Sequence, residues 1–330
     1  MLAKIEVLWS RTCPLSCSYC SMADQRKNTA PLKDWIKAFT YLRKHDPAIA
    51  VFFGAEPLHD FNKLPEVIQH CEKIGIPTTI ITSGIVNDFE KKLTTLYKHK
   101  LRSLSMSFDM IDLNKGSSLK THKAIEGLQF FKSIGPIRDL AVIATLTKTN
   151  YHLFPDMIRQ MSELEIWSLF DPLHLDRGFP GTKCSSGGGT KELMFTDEDI
   201  PGLQTMFKKV LSLKKRGFLV HASVPYLEKI IHGASSFTGK YNWKCANDVS
   251  CFPSWITIDC DGKVHVCDDN HPPSPFYMTN LSAQWNDFVD YWRNYVIKNC
   301  PGCAWNNYEE SYLIAKGLVP KSAFVHKEGL

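Results

Sequence analysis

The 330-residue sequence has no apolar run approaching the ~20 residues that cross a bilayer. Its opening, MLAKIEVLWS, also lacks the long apolar stretch and small-residue cleavage site of a secretory signal. The expectation is a cytoplasmic protein with no membrane partner. An excess of charge of one sign is missing too, since 39 lysines and arginines are interspersed with 34 acidic residues, for a net charge of +5. The short basic run Lys208, Lys209, Lys214, Lys215 and Arg216 sits on a helix-like stretch and reads as a solvated face. Nothing therefore argues for nucleic acid as a partner. No repeat of fixed period is visible, and the 12 histidines show no metal-ligand spacing. Hydrophobic residues at 44% and aromatics at 12% are enough for a sizeable core and exclude a disordered chain.

What stands out is the presence of 11 cysteines. A reducing cytoplasm does not favour structural disulfides, and unrelated buried cysteines rarely cluster. Here Cys13, Cys17 and Cys20 fall close together, Cys245, Cys251, Cys260, Cys267, Cys300 and Cys303 form a second group, and Cys71 and Cys184 stand alone. Thiolates are the soft ligands of zinc and of iron–sulfur clusters, so this distribution reads as two metal sites. Cys71 lies in a helical stretch and reads as core. Cys184 lies in a glycine-rich loop, an incidental thiol unless its pKa is lowered enough for a reactive role.

Up to about residue 175, short β-branched or aromatic runs alternate with amphipathic stretches, the pattern of βα units around a parallel sheet. Strands are expected at Ile5 to Trp9, Ala48 to Phe53, Thr78 to Thr82, Ser103 to Phe108, Leu140 to Thr145 and Ile166 to Phe170. Helical spacing covers Leu32 to His45, Leu64 to Ile74, Asn87 to Lys98, Thr121 to Ile134 and Leu153 to Leu164. In such folds functional loops lie at the C-terminal strand ends. The cysteine triplet, Gly54-Ala55-Glu56-Pro57 and Thr82-Ser83-Gly84 all fall there. Residues 178–190, GFPGTKCSSGGGT, mark a seam. A helix over 197–216 follows, then strands Trp255 to Ile258 and Val264 to Val266 flanking the hairpin dipeptide Asp261-Gly262. The polar tail after Tyr312 carries little signal.

The run Cys13-Pro-Leu-Ser-Cys17-Ser-Tyr19-Cys20 places three thiolates on one short loop after the first strand. Its spacing, with an aromatic before the last cysteine, resembles the CX3CX(aromatic)C signature of the radical S-adenosylmethionine (SAM) superfamily. The resemblance implies a [4Fe-4S] cluster on Cys13, Cys17 and Cys20, with one iron left open to chelate SAM. It further implies reductive cleavage of SAM to a 5′-deoxyadenosyl radical that abstracts a substrate hydrogen. Gly54-Ala55-Glu56-Pro57 looks like the family's GGEP motif with alanine as its second residue, and Ser107-Phe108-Asp109 looks like its SxD sequence, followed here by Met110. On this resemblance Tyr19, Gly54, Glu56, Ser83, Ser107 and Asp109 are candidate cofactor-binding residues. Ordinary turn and capping roles are the alternative for each polar one. A zinc knuckle is the bland reading of the triplet, but structural zinc usually takes four closed ligands and no fourth lies nearby.

Cys251, ten residues, Gly262, four residues and Cys267 match the start of the SPASM motif, and Cys300-Pro-Gly-Cys303 supplies one further pair. The pattern resembles the shortened twitch domain, which implies one auxiliary [4Fe-4S] cluster on Cys251, Cys267, Cys300 and Cys303. Cys245 or Cys260 can replace a ligand or be a buried apolar residue. A four-cysteine zinc ribbon is the rival reading. The fold expected is α/β, a partial (β/α)6 TIM-like barrel with a small C-terminal β-hairpin and helical twitch-like domain. Residues 1–195 are assigned to the barrel, 196–240 to a helical connection, 241–306 to the cluster domain and 307–330 to a tail.

Auxiliary clusters in the family often take up an electron from the substrate radical, which favours net oxidation of a small polar, sugar-like or nucleotide-like substrate. Modification of a peptide or protein side chain is the alternative. The chain begins directly at the first barrel strand, which weighs against a built-in leader-peptide-binding domain. Asp171, His174 and Asp176, with Arg177, follow the sixth strand and are candidate catalytic residues, with solvated loop positions as the alternative. An external reductant such as flavodoxin or ferredoxin is the expected electron source. A zinc-bound, non-enzymatic module is the minor alternative.

Overall fold

The computed structural model describes residues 2–15, 17, 20, 29–109, 119–173, 191–238, 253–265, 274–298 and 306–323. Six strands follow the expected order: β1 (Lys4–Ser10), β2 (Ile49–Gly54), β3 (Thr78–Thr82), β4 (Ser103–Phe108), β5 (Asp139–Leu146) and β6 (Trp167–Pro172). Successive strands pair in parallel. The helices between them are α1 (Leu32–Leu42), α2 (Leu64–Lys73), α3 (Phe89–Lys98), α4 (Leu119–Ser133) and α5 (Phe154–Glu163). The result is the anticipated α/β partial barrel.

Each helix lies on the outer face of the sheet because its sequence carries one apolar stripe. In α1 the buried residues are Trp35, Ala38, Phe39 and Leu42, the i, i+3, i+4, i+7 spacing of a single helix face. That stripe meets the outward side chains of β1 and β2, with Trp9 and Trp35 ring centroids 5.2 Å apart and Phe39 and Phe52 5.9 Å apart. Full burial of one such side chain contributes about 1.5–3 kcal/mol. α2 and α5 each carry proline in the first turn, where the missing N–H would have no helical partner anyway.

After β6 come α6 (Ile200–Lys215) and α7 (Val224–His232), and then β7 (Trp255–Asp259) and the short β8 (Val264–His265). β7 and β8 form the expected antiparallel hairpin, turning at Gly262 with φ +87°. The hairpin does not stand apart from the barrel. β7 pairs in parallel with β1 from Lys4↔Trp255 to Leu8↔Asp259, giving the sheet order β6-β5-β4-β3-β2-β1-β7-β8. β1 is thereby an interior strand, and all seven of its residues are buried.

Two further helices complete the described residues, α8 (Trp285–Lys298) and α9 (Asn306–Ala315). α9 bridges the open side of the barrel. The Asn306 side chain donates to the Phe170 carbonyl of β6 at 2.7 Å, while the Tyr308 ring stacks on Trp255 of β7 at 4.7 Å. Glu310 of α9 accepts from the Ser223 amide at 2.6 Å, at the start of α7. Among the described residues, no helix is long and apolar enough to cross a membrane.

Candidate active site

Parallel register puts paired residues on the same face of a sheet, because side chains alternate along each strand. The pairings Glu6↔Val51, Glu6↔Thr257, Val51↔Thr79 and Ser103↔Asp139 place these side chains along the barrel interior. On β4 the sequence Ser-Leu-Ser-Met-Ser-Phe sends Ser103, Ser105 and Ser107 inward, while Leu104, Met106 and Phe108 join the outer core. A polar ladder thus climbs the inner wall towards Asp109. The interior keeps a cavity of about 50 Å³, room for a few water molecules, bordered by Lys4, Thr79, Ser105, Asp139, Asp171 and His221 among others.

Charge inside the barrel is largely compensated. Lys4 pairs with Glu6 at 2.9 Å, both side chains being buried, and the Thr257 hydroxyl donates to the other Glu6 oxygen at 3.1 Å. Asp139 differs. Burial pushes its carboxyl up to about 7, against the opposing pull of the Arg138 charge and the Leu140 amide. Arg138 is occupied elsewhere, bidentate to Glu72 at 3.2 and 2.8 Å. The Asp139 Oδ1 atom is buried with no hydrogen-bond partner among the described residues. The residue nevertheless keeps some accessible surface, which fits a side chain lining an internal cavity away from bulk water.

At the C-terminal strand ends the loops are stitched together by backbone bonds. Ala55 N–H donates to the Ser10 carbonyl at 2.9 Å and Glu56 N–H to the Thr12 carbonyl at 3.0 Å, so the Gly54-Ala55-Glu56-Pro57 turn is laid against the start of the cysteine segment. Only glycine permits this approach. Gly54 has φ +133°, and a Cβ there would lie 2.4 Å from the Ser10 carbonyl oxygen.

Glu56 itself is fully buried. Its Oε1 accepts from the Thr82 hydroxyl at 2.6 Å and the Leu58 amide at 3.1 Å, and its Oε2 accepts from the Ser83 amide at 2.9 Å and the Ser83 hydroxyl at 2.6 Å. Both carboxylate oxygens thus have their hydrogen-bonding capacity answered inside the fold. Here the Glu56 side chain ties the second and third strand ends together, while its backbone reaches the cysteine segment. Asp109 accepts from Lys120 at 2.9 Å, and Ser107 lies half-buried one step below it on the same wall.

Cys13 and Cys17 are half-buried, Cys20 is exposed, and all three are free thiols. The Cys20 amide donates to the Cys17 carbonyl at 3.0 Å, a turn that draws these two together, and the Leu15 amide donates to the Cys13 sulfur at 3.4 Å. The Cys13 thiol is pushed up by burial, pulled down by the Leu15 amide, and pushed up again by the charges of Glu56, Cys20 and Cys17. No group of three His, Cys, Asp or Glu able to hold one metal ion occurs among the described residues. Three free thiols on one short loop are the donor set that would hold three irons of a cuboidal cluster and leave the fourth without a protein ligand.

Asp171 lies half-buried on β6 beside the interior cavity, together with His221 and Asn307. His174, Asp176, Arg177, Tyr19, Cys184, Cys245, Cys251, Cys267, Cys300 and Cys303 lie outside the described residues. Cys71 is fully buried in α2, as expected of a core residue. Cys260 is buried at the hairpin turn, and burial together with the Asp259 carboxylate pushes its thiol up to about 12, so it stays neutral. Asp139, His221 and Asn307 were not apparent as interior residues from the sequence. The period-two serines of β4 were the one local signal of a polar interior.

Residues 7–164 match the family model described as the Radical SAM superfamily. PqqA peptide cyclase of Bradyrhizobium diazoefficiens is 26% identical over 161 residues, 46% of this chain and 41% of that protein. The same enzyme of Methylocella silvestris is 38% identical over 76 residues, 22% of this chain and 20% of that protein. The chain therefore aligns with less than half the length of either of these relatives. Among solved structures, SuiB of Streptococcus suis bound to S-adenosylmethionine superposes with a TM-score of 0.59 at 15% identity, over 88% of this chain and 65% of that one. The structure of anSMEcpe with bound AdoMet gives 0.58 at 14% identity, over 99% of this chain and 100% of that one, a likeness of fold. With its CX3CXYC triplet following β1 and its six-stranded parallel partial barrel, the chain carries over residues 7–164 a domain of the radical SAM superfamily, whose members use a [4Fe-4S] cluster and SAM.

Proposed function

We propose that this radical SAM enzyme modifies a side chain of a peptide or protein. The observation that carries this reading is that the curated relatives it matches are PqqA peptide cyclases. They support it over the dehydrogenation of a small sugar-like or nucleotide-like molecule, which the cysteine pattern alone had put first. Cys13, Cys17 and Cys20 are the proposed cluster ligands, and the bound cluster with SAM supplies the hydrogen-abstracting radical. Ser83, Ser107 and Asp109 lie at the C-terminal strand ends, the end of the sheet from which the cysteine segment also leaves β1, and are proposed to meet the cofactor's amino, carboxylate and ribose groups. Gly54 and Glu56 build the platform on which the segment rests. Asp171 is proposed to face the substrate, with His174 and Asp176 following it in sequence. An auxiliary [4Fe-4S] cluster is proposed on Cys251, Cys267, Cys300 and Cys303.

The test begins with anaerobic iron and sulfide quantification and detection of 5′-deoxyadenosine after reduction with SAM. The reconstituted enzyme is then given extracts of fully deuterated host cells, separated into peptide and small-molecule fractions. Deuterium entering 5′-deoxyadenosine from the peptide fraction, and abolished by prior protease digestion, is the expected result. Transfer from the small-molecule fraction alone would overturn the peptide reading and restore the dehydrogenation.

A further inference from the structure

The segment that carries Cys13, Cys17 and Cys20 is tied at both of its ends to two consecutive residues of the C-terminal hairpin. Before it, the Arg11 guanidinium grips Asp259 in a bidentate pair, Nε to Oδ1 at 3.0 Å and a terminal nitrogen to Oδ2 at 2.9 Å. After it, the Ala30 amide donates to the Cys260 carbonyl at 2.7 Å. Asp259 Oδ1 also accepts from the Cys260 amide at 2.8 Å, so one carboxylate organises both attachment points. Arg11 is 8% exposed and Asp259 1%. From α2's side, Lys63 holds the Thr29 and Ala30 carbonyls, each at 3.1 Å.

We infer that Asp259 is a positioning residue for the radical cluster: through Arg11 and Cys260 it clamps the cysteine segment to β7, so that the C-terminal hairpin sets how rigidly the three thiols are presented. The inference rests on the reading of Cys13, Cys17 and Cys20 as cluster ligands only for its catalytic consequence. Energetics alone do not account for such a pair, since two buried charges recover their lost hydration only in part and an apolar pair of similar size is often as stable. Its bidentate geometry, by contrast, fixes the orientation of both partners. The pair lies at the C-terminal end of β1 and β7, the face where this fold keeps its chemistry.

Hydrogen–deuterium exchange on the iron-free chain tests the clamp directly, because its readout needs no cofactor. In Asp259→Asn, peptides covering residues 12–30 are expected to exchange at least about tenfold faster, the size of effect that losing a hydrogen-bonded charge produces. Peptides covering 49–108 are expected to stay within about twofold of wild type, as the local character of such openings requires. The double variant Arg11→Met with Asp259→Leu removes both charges and leaves none stranded. It is expected to regain wild-type urea stability while residues 12–30 remain fast, and after reconstitution to shift the line shape of the SAM-bound reduced cluster in electron paramagnetic resonance. Equal loosening of the two regions in Asp259→Asn, or full recovery of protection at 12–30 in the double variant, would reduce the pair to general stabilisation and overturn the inference. A wild-type chain that takes up no iron would overturn the cluster reading and leave the exchange result standing.

Discussion

The packing of Gly54 against the Ser10 backbone makes a sharp prediction for Gly54→Ala. A Cβ at Gly54 would lie 2.4 Å from the Ser10 carbonyl oxygen and 3.2 Å from the Ser10 nitrogen, both of them backbone atoms that cannot swing away. Reaching a tolerable separation requires the ends of β1 and β2 to part. That movement strains or breaks the Ala55-to-Ser10 and Glu56-to-Thr12 bonds. Backbone strain at the positive φ costs about 1–3 kcal/mol, and two backbone hydrogen bonds add about 0.5–1.5 kcal/mol each. The sum is a loss of about 2–6 kcal/mol, large against the 5–15 kcal/mol typical of folded domains.

Gly217 supplies a matched control, with φ +90° and nothing within 4 Å of a would-be Cβ. Gly217→Ala should therefore lose only the backbone part, about 1–3 kcal/mol. Urea unfolding of the iron-free chains measures both, and iron uptake on anaerobic reconstitution reports the cysteine segment separately. Gly54→Ala is expected to exceed Gly217→Ala in lost stability and, alone of the two, to lose iron uptake. Equal losses with full iron in both variants would refute the idea that this contact positions the cysteine segment.

Three other outcomes follow from the site. Cys17→Ala should abolish 5′-deoxyadenosine formation and remove the iron of one cluster, while iron bound at the late cysteines persists; metal analysis with a cleavage assay reads both. Glu56→Gln sets an amide nitrogen against the donors now answered by Glu56, and is expected to cost about 2–4 kcal/mol by urea unfolding; a loss under about 0.5 kcal/mol, the scale of an ordinary surface substitution, would contradict the network. For pH, burial raises the Glu310 carboxyl from 4.5 to about 7. The folded chain thus holds a proton that the unfolded chain gives up, so this group's contribution is fully present below about 4.5 and is lost as pH rises towards 7. Glu310→Gln should flatten that decline between about pH 4.5 and 7 in thermal unfolding, and an unchanged slope would contradict the assignment.

The barrel's strands and helices were legible because local patterns set them. All six strand expectations overlap the observed strands, and Thr78–Thr82 and Ser103–Phe108 match end to end. The cysteine triplet and the Gly54 turn were legible as well, since their chemistry depends on residues adjacent in the chain. The pairing of β7 with β1 was not, because a ladder between residues about 250 positions apart leaves no trace in either segment's own pattern. α9 was hidden for another reason. Its sequence NNYEESYLIA looks like part of a polar tail, yet Glu309 and Glu310 are buried, satisfied in part by Lys229 and the Ser223 amide. Buried acids break the apolar stripe on which helix recognition relies. The interior positions of Asp139 and His221 likewise depend on barrel closure rather than on neighbours in sequence.

The place of β1 between β2 and β7 also constrains how the molecule is made. Trp255–Asp259 leaves the ribosome about 250 residues after Lys4–Ser10, and until then one of the two hydrogen-bonding edges of β1 has no partner. Over that interval the nascent barrel carries an open strand edge in a segment that includes Ile5, Val7, Leu8 and Trp9, the kind of edge that templates association between chains. Contacts this distant in sequence form late and slowly. Joining β1 to β7 makes arrival of the β7–β8 hairpin the step that covers this edge, so the cysteine segment, whose ends rest on that hairpin, gains its anchorage only once Asp259 and Cys260 have been made.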